Sequence, residues 1–494
     1  MPNKIISNMK KNSFNIPALF AFILLFSNIT IAFGQLSTDS INIIIKTEVD
    51  NKRSVSIIVG TIDLNGKKII SYGKVNDNST QLPDGNTIYE IGSVTKTFTA
   101  ILLADMVIKG QVHLDDPISK FLPKSVKTPI RNGKEITLLD LTTQTSGLPR
   151  MPDNFNPKNP ENPYADYTVE QMYAFLSNYT LTRDIGSRYE YSNIGVGILG
   201  HILSLVAGTD YETLVKQRIC APLKMNSTGI TLTAKLKENL AIGHNESEKP
   251  VTNWDLPTLA GAGALRSTVN DMLIFVAANL GLIKSPLDSA IILSHIIRDS
   301  TTIPDVDIGM NWLIYKKFGS PIIWHDGGTG GYSTFIGFDE NSKKGIVVLS
   351  NSVNWVGDIG LHFLNTSYKI HPYEYKWYLQ DTIEQTVNKQ GIDAAIDAYH
   401  KLKITKKPRY LFNEDQLNNV GYALLGSKKI KDAIAIFKLN VEEYPKSWNV
   451  FDSLGEAYMD NGDTQLAINN YQKSIDLNPA NTEGIKMLQK LKTK

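Results

Sequence analysis

The sequence predicts an α+β chain with two successive architectures: a mixed strand-and-helix region over about residues 40–370, then an all-helical region beyond about residue 372. Three observations carry this. Strand-like segments cluster at both ends of the first region around a largely helical middle, so distant parts of the chain must share one sheet. Beyond residue 372 the strand patterns stop and a 34-residue repeat begins. The chain's 494 residues also exceed one core, since domains cluster near ~150 residues.

Composition sets the outer bounds. Hydrophobic residues at 42% and charged residues at 20% describe a folded globular chain and exclude disordered, collagenous and polytopic membrane classes. With 51 Lys+Arg against 49 Asp+Glu the net charge is +2, which creates no basic field, so nucleic acid is not an expected partner. The single Cys220 forms no internal disulfide, supplies no cysteine-based zinc or iron–sulfur site, and reads as a buried structural thiol.

The first 34 residues read as an export signal. Lys4, Lys10 and Lys11 precede an apolar stretch from Ile16 to Phe33 that meets Ala32-Phe33-Gly34, with cleavage expected after about Gly34. Pro17, Ser27, Asn28 and Thr30 interrupt the stretch, and it barely reaches the ~18 residues a membrane span needs. No stable membrane anchor is expected after cleavage. The initiator is Met1 or Met9, and the expected compartment is the bacterial periplasm or exterior.

Ser54 to Ile62 and Lys67 to Val75 read as a hairpin turning on Asn65-Gly66, a pair suited to positive φ. Val94, Phe98, Leu102 and Met106 then fall at helical spacing, with Gly110 as the stop. The middle is broken by the Pro- and Asn-rich stretch Met151 to Pro163, and Ile194 to Val206 is an apolar helix. Pro321 to Trp324, Tyr332 to Phe338 and Gly345 to Leu349 form the second strand cluster. In the tail, Gly421/Gly455, Ala423/Ala457, Ala433/Ala467, Ile434/Ile468, Phe437/Tyr471 and Pro445/Pro479 pair at an offset of 34. This register resembles tetratricopeptide repeats, whose paired helices need small residues where they cross. Ala395 and Tyr399 fit a degenerate earlier unit and Thr482 to Leu491 a capping helix; such modules bind a protein or peptide partner.

Three clusters can do chemistry. Ser93 and Lys96, three apart at a helix start, share one face, and the helix's positive end stabilises negative charge developing on the serine oxygen. Lys96 can act as a base only when neutral, which requires its pKa to fall from about 10.4 toward 7, roughly 4.6 kcal/mol. Ser7/Lys10 and Ser71/Lys74 share the spacing but lack the helix-start setting. Tyr191 and Asn193 present a phenol and an amide at a helix entrance, where Tyr191 can pass a proton and Asn193 can hold a substrate amide. His325-Asp326-Gly327-Gly328 follows a strand, and its glycines let a substrate approach the backbone and meet an N–H as oxyanion donor. Taken singly, Tyr191 also fits a capping or core aromatic, and His325 a satisfied strand histidine.

In this order, the clusters resemble the serine β-lactamase and penicillin-binding protein superfamily, specifically its class C β-lactamase and D-alanyl-D-alanine carboxypeptidase branch. That family has Ser-x-x-Lys, Tyr-x-Asn, then Lys or His-x-Gly. The likeness also takes in Leu139 to Pro149, Pro222-Leu223-Lys224-Met225 and Gly263 to Thr268, spanning about residues 40–370. It implies an antiparallel sheet flanked by helices with an all-helical subdomain. It implies Ser93 as the acylated nucleophile, Lys96 and Tyr191 as the proton-handling pair, and Asn193, His325, Asp326 and Gly327 in substrate binding. The backbone N–H groups of Ser93 and Gly328 become the oxyanion hole. The implied reaction is a two-step hydrolysis without metal or cofactor.

The implied substrate is a D-amino-acid peptide, cell-wall derived or otherwise, or a small ester, with β-lactam binding or weak hydrolysis alongside. Gln144 stands where the family often has His and reads as structural, and Asp326 stands where many relatives carry Thr. An anionic side chain there repels a substrate carboxylate unless it turns away or is paired. The competing reading is a non-catalytic sensor of the same fold, or an interaction protein, signalling through the repeats.

Overall fold

In a computed structural model, residues 38–76, 80–317, 319–370, 377–405 and 410–493 are described. The leader expected over residues 1–34, and with it the Ser7/Lys10 pair, lies outside them. Eight strands among the described residues form one antiparallel sheet: β1 (Ser56–Asp63), β2 (Gly66–Gly73), β3 (Asp299–Ser300), β4 (Val306–Ile308), β5 (Leu313–Tyr315), β6 (Ile322–Gly328), β7 (Ser333–Asp339) and β8 (Lys344–Ser350), in the order β2-β1-β8-β7-β6-β5-β4-β3. The pairing of β1 with β8, Val59 opposite Val348, joins the two ends of the region into one sheet, as the strand clusters predict.

Side chains alternate along each strand, so the sheet buries both faces. Ile57, Val59, Ile346, Val348 and Phe335 point to one face. There α1 (Thr38–Asp50) contributes Ile41 and Ile45, and α5 (Gly357–Leu364) contributes Ile359 and Leu361. Ile58, Val347, Leu349 and Ile336 point to the other face, toward α2 (Thr95–Ile108), α3 (Asn193–Ala207) and α4 (Val269–Asn279). Arg53 ties the first face together, bonding Glu48 at 2.8 Å and Asp358 at 3.3 Å.

The hairpin differs from expectation by one position. Asp63 faces Gly66, so the turn is Leu64-Asn65, and of the expected pair only Gly66 takes positive φ, at 118°. The reason is local: the Asp63 carboxylate accepts the Asn65 N–H at 2.7 Å, which holds Asn65 out of the left-handed region. Helix α2 also exceeds the expected stripe. Thr95 through Met106 are buried all round, making it a central core helix, and Gly110 follows its end with φ 67°. Cys220 is buried and free, and burial pushes its thiol up to about 12.

The tail is helical: α6 (Leu379–Gln390), α7 (Ile392–Thr405), α8 (Glu414–Gly426), α9 (Ile430–Glu443), α10 (Trp448–Asn461), α11 (Thr464–Leu477) and α12 (Thr482–Lys492). The expected absence of strands beyond residue 372 is corrected by one short parallel pair, Trp377–Tyr378 with Tyr410–Leu411, which brings together the starts of α6 and α8. Starts of α8 and α10, and of α9 and α11, recur 34 residues apart. A Cβ on Gly421 would lie 2.4 Å from the Phe437 ring and one on Gly455 3.2 Å from the Tyr471 ring, so the same small-against-aromatic crossing occurs twice. The tail's buried apolar residues, from Leu379 to Leu491, form a cluster distinct from those of the sheet region. A Lys249–Glu384 pair at 3.9 Å, its lysine exposed and its glutamate partly buried, runs between the two regions.

Candidate active site

Ser93 sits in a single 3-10 turn, Gly92–Val94, that leads directly into α2. Gly92 takes φ 49°, and a Cβ there would lie 2.8 Å from the backbone N and O of Gly328. A Cβ on Gly327 would lie 2.1 Å from the Ile91 carbonyl oxygen and 3.0 Å from the Ser93 nitrogen. Only glycine at both positions lets β6 press against the turn, and this close approach brings the backbones of Ser93 and Gly328 to one place on the cleft wall.

Lys96, the second residue of α2, has its side chain wholly buried. Its Nζ lies 3.0 Å from Ser93 Oγ, 2.9 Å from Asn193 Oδ1 and 2.6 Å from the Ala262 carbonyl oxygen. Among the described residues no carboxylate forms an ion pair with it. Burial first, and then the positive charge of Arg150, push the Lys96 amine well below the ordinary lysine value, with Asp326 pulling the other way.

Tyr191 donates to Ser93 Oγ at 2.6 Å. Two basic side chains approach its ring, Lys96 Nζ at 4.8 Å and the Arg150 guanidinium at 5.1 Å from the ring centre. Burial still raises its phenol above the usual tyrosine range, so the hydroxyl keeps its proton at neutral pH. Gln144 and the Arg150 backbone help to hold the Tyr191–Asn193 segment in place. Gln144 accepts the Ser192 N–H at 2.7 Å through Oε1 and donates to Asn311 at 2.9 Å, a structural role as expected. The Arg150 carbonyl accepts the Asn193 N–H at 2.9 Å as α3 begins.

The four residues Ser93, Lys96, Tyr191 and Asn193 thus form one bonded cluster. Ser93, Tyr191, Asn193, Asp326, Gly327 and Gly328 line a cleft of about 830 Å³. His325 does not line it: the strand pleat turns its side chain away from those of Trp324 and Asp326, and it is buried with Nδ1 2.6 Å from the Asp326 carbonyl oxygen. Burial pulls the His325 imidazole down to about 4, so it is neutral at neutral pH. Asp326 does face the cleft, and its Oδ2 accepts the Trp355 indole N–H at 2.7 Å. Ser71 donates to the Pro83 carbonyl at 2.6 Å within β2, away from this cluster.

Sequence reasoning missed Arg150, the Ala262 carbonyl and the aromatic wall of Trp254, Trp324 and Trp355. Arg150 directly follows the Leu148-Pro149 pair of a stretch singled out above. Its relation to Tyr191, however, comes from a backbone contact across the fold that no spacing rule reveals.

A family model described as Beta-lactamase matches residues 46–364. The chain is 29% identical over 303 residues to the D-alanyl-D-alanine-carboxypeptidase/endopeptidase AmpH of Escherichia coli (strain K12), an alignment covering 58% of this chain and 77% of that protein. It is 26% identical over 323 residues to a beta-lactamase of Pseudomonas fluorescens, covering 58% and 86%. The solved structure of D-alanine carboxypeptidase AmpC from Burkholderia cenocepacia shares the fold, with a TM-score of 0.58 at 24% identity, covering 66% of this chain and 98% of that one.

The depressed lysine has a measurable consequence. Activity that needs neutral Lys96 rises with pH as the ammonium loses its proton, so the acidic limb of kcat/KM for a neutral ester should lie well below the ordinary lysine range. A pH–rate profile checks this. A limb at the ordinary lysine value would mean that Lys96 is charged in the resting cleft.

Proposed function

This chain belongs to the Beta-lactamase family and is a serine hydrolase of the β-lactamase and DD-carboxypeptidase type. From that premise we propose that it is an exported enzyme that forms its acyl-enzyme on Ser93 and hydrolyses a D-amino-acid peptide or a small ester. The observation that carries the reading is the set of contacts around Lys96 Nζ. A neutral amine has two N–H donors and one lone pair. Asn193 Oδ1 and the Ala262 carbonyl take the two donors, and the lone pair is left for the Ser93 hydroxyl.

In acylation, Ser93 Oγ attacks the carbonyl carbon while its proton passes to Lys96, and negative charge on the carbonyl oxygen faces the Ser93 and Gly328 N–H groups. The bond to the leaving group breaks, and that group takes the proton by way of Tyr191, whose hydroxyl already touches Oγ. Water then adds to the acyl carbon, loses a proton to the same pair, and releases the acid with the serine hydroxyl restored. No step needs a metal or cofactor. The binding-only alternative gives no reason to bury a lysine amine against a serine hydroxyl.

Asp326 bears on the choice of substrate. Its partner is a neutral indole, so its negative charge stays in the cleft and disfavours a carboxylate placed beside β6. The helical tail supports a repeat module that recruits a protein or peptide partner, with residues 1–34 as leader, 40–370 as hydrolase and 372–494 as repeats. The separate apolar cluster of the tail favours this division. An export signal places the enzyme in the bacterial periplasm or outside the cell. Among the described residues no single helix is long and apolar enough to cross a membrane.

Ser93→Ala should abolish acylation by a reactive ester or β-lactam and lower turnover by at least about a thousandfold, read by mass spectrometry and steady-state kinetics. Labelling at the native rate would place the nucleophile elsewhere. Asp326→Thr should raise kcat/KM for substrates with a carboxylate on the leaving side, relative to neutral esters, by ~1 to 3 kcal/mol; an unchanged ratio would show that this charge does not reach the substrate. A chain ending at residue 370 should fold and cleave a small ester at close to the full-length rate. If it is folded by circular dichroism yet cannot be acylated by a small probe, the tail shapes the cleft and the division fails.

A further inference from the structure

The cleft wall carries two guanidinium groups, from Arg150 and Arg188, and they differ in one respect. Arg188 is paired with Glu190 at 3.3 Å. Arg150 has no acidic partner among the described residues, and its guanidinium lies over the face of Tyr191, one ring away from Ser93 Oγ. Its base is fixed as well: the Arg150 carbonyl accepts N–H groups from Asn193 and Ile194 at 2.9 and 3.4 Å, anchoring the residue at the start of α3. A planar donor fork on a fixed base, open to the cleft and lacking a counter-ion, is complementary to a carboxylate. The cleft carboxylate on the β6 side, Asp326, accepts from Trp355 and forms no ion pair with Arg150, so the guanidinium is open to an incoming anion.

We propose that Arg150 is a specificity-determining residue that receives a carboxylate of the substrate within reach of Ser93. The preferred substrates are then acyl compounds whose carboxylate lies against Tyr191 and Arg150, with a neutral or amine-bearing part beside Asp326. This inference rests on the Ser93 reading above and names the substrate chemistry for that site. The guanidinium acts by charge-assisted hydrogen bonding, so the preference weakens as salt screens the pair.

The test is a selectivity ratio in the full-length protein. Two matched ester pairs serve: p-nitrophenyl hemisuccinate against p-nitrophenyl butyrate, which puts the carboxylate in the acyl part, and m-carboxyphenyl butyrate against phenyl butyrate, which puts it in the leaving group. For at least one pair, Arg150→Gln should lower the anionic-to-neutral ratio of kcat/KM by about tenfold or more, mainly through KM. Arg150→Lys should retain part of the preference and Arg150→Glu should lose more than Arg150→Gln. Using a ratio cancels any change that Arg150 makes in Lys96 or in folding, because both esters of a pair meet the same enzyme. Ratios unchanged for both pairs overturn the proposal.

Ser93→Ala, run in parallel, separates the two readings: turnover surviving it sinks the Ser93 assignment and leaves the ratios to judge Arg150. Binding gives a second measure free of turnover. Calorimetric affinity of Ser93→Ala for the preferred anionic ester should drop by about tenfold when Arg150→Gln is added. Equal affinity with and without Arg150 overturns the assignment.

Discussion

A buried lysine amine, with no acidic partner among the described residues, is the constraint on which the cleft depends. Lys96 is wholly buried, and charging it there would require compensation that the surrounding neutral acceptors only partly supply. Burial therefore biases Lys96 toward the amine, and three neutral oxygens surround its Nζ: Ser93 Oγ, Asn193 Oδ1 and the Ala262 carbonyl. Arg150 adds to this bias from the cleft side, and Tyr191, whose ring both basic side chains approach, keeps its proton. The serine, the phenol and the amide each have a place because the lysine does.

That arrangement is held from three directions. Helix α2, buried all round, fixes Lys96 and the turn bearing Ser93. The glycines Gly92 and Gly327 let β6 lie against that turn at a distance no side chain would allow. Gln144 and the Arg150 carbonyl seat the Tyr191–Asn193 segment. These supports come from parts of the chain far apart in sequence, so only the folded chain brings them to one place.

The cleft's polarity is not that of its individual motifs. Asp326 places negative charge on the β6 side, and Arg150, with no acidic partner among the described residues, places positive charge over Tyr191. A substrate is thus met by opposite charges on two walls, with Trp254, Trp324 and Trp355 supplying apolar surface between the polar groups. His325, which opens the third motif, takes no part in that lining, because a strand cannot turn neighbouring side chains to the same face.

Local pattern determined much about this protein. The helix that follows Ser93, the hairpin, the strand cluster around His325 and the 34-residue recurrence all rest on short-range periodicity and turn chemistry, which a sequence carries openly. The identity of Ser93, Lys96, Tyr191 and Asn193 as a group was legible too, since each sits at a helix start where its chemistry is recognisable. Local rules failed where a neighbour across the fold, or a nearby side chain, decided the outcome. The Asp63 carboxylate shifted the hairpin turn by one residue. The pleat hid His325, and only the tertiary structure brought Arg150 over Tyr191 and the Ala262 carbonyl onto Lys96. Those contacts join residues separated by dozens of positions or more. They set burial and charge environment, and these quantities belong to the packed fold rather than to any stretch of chain.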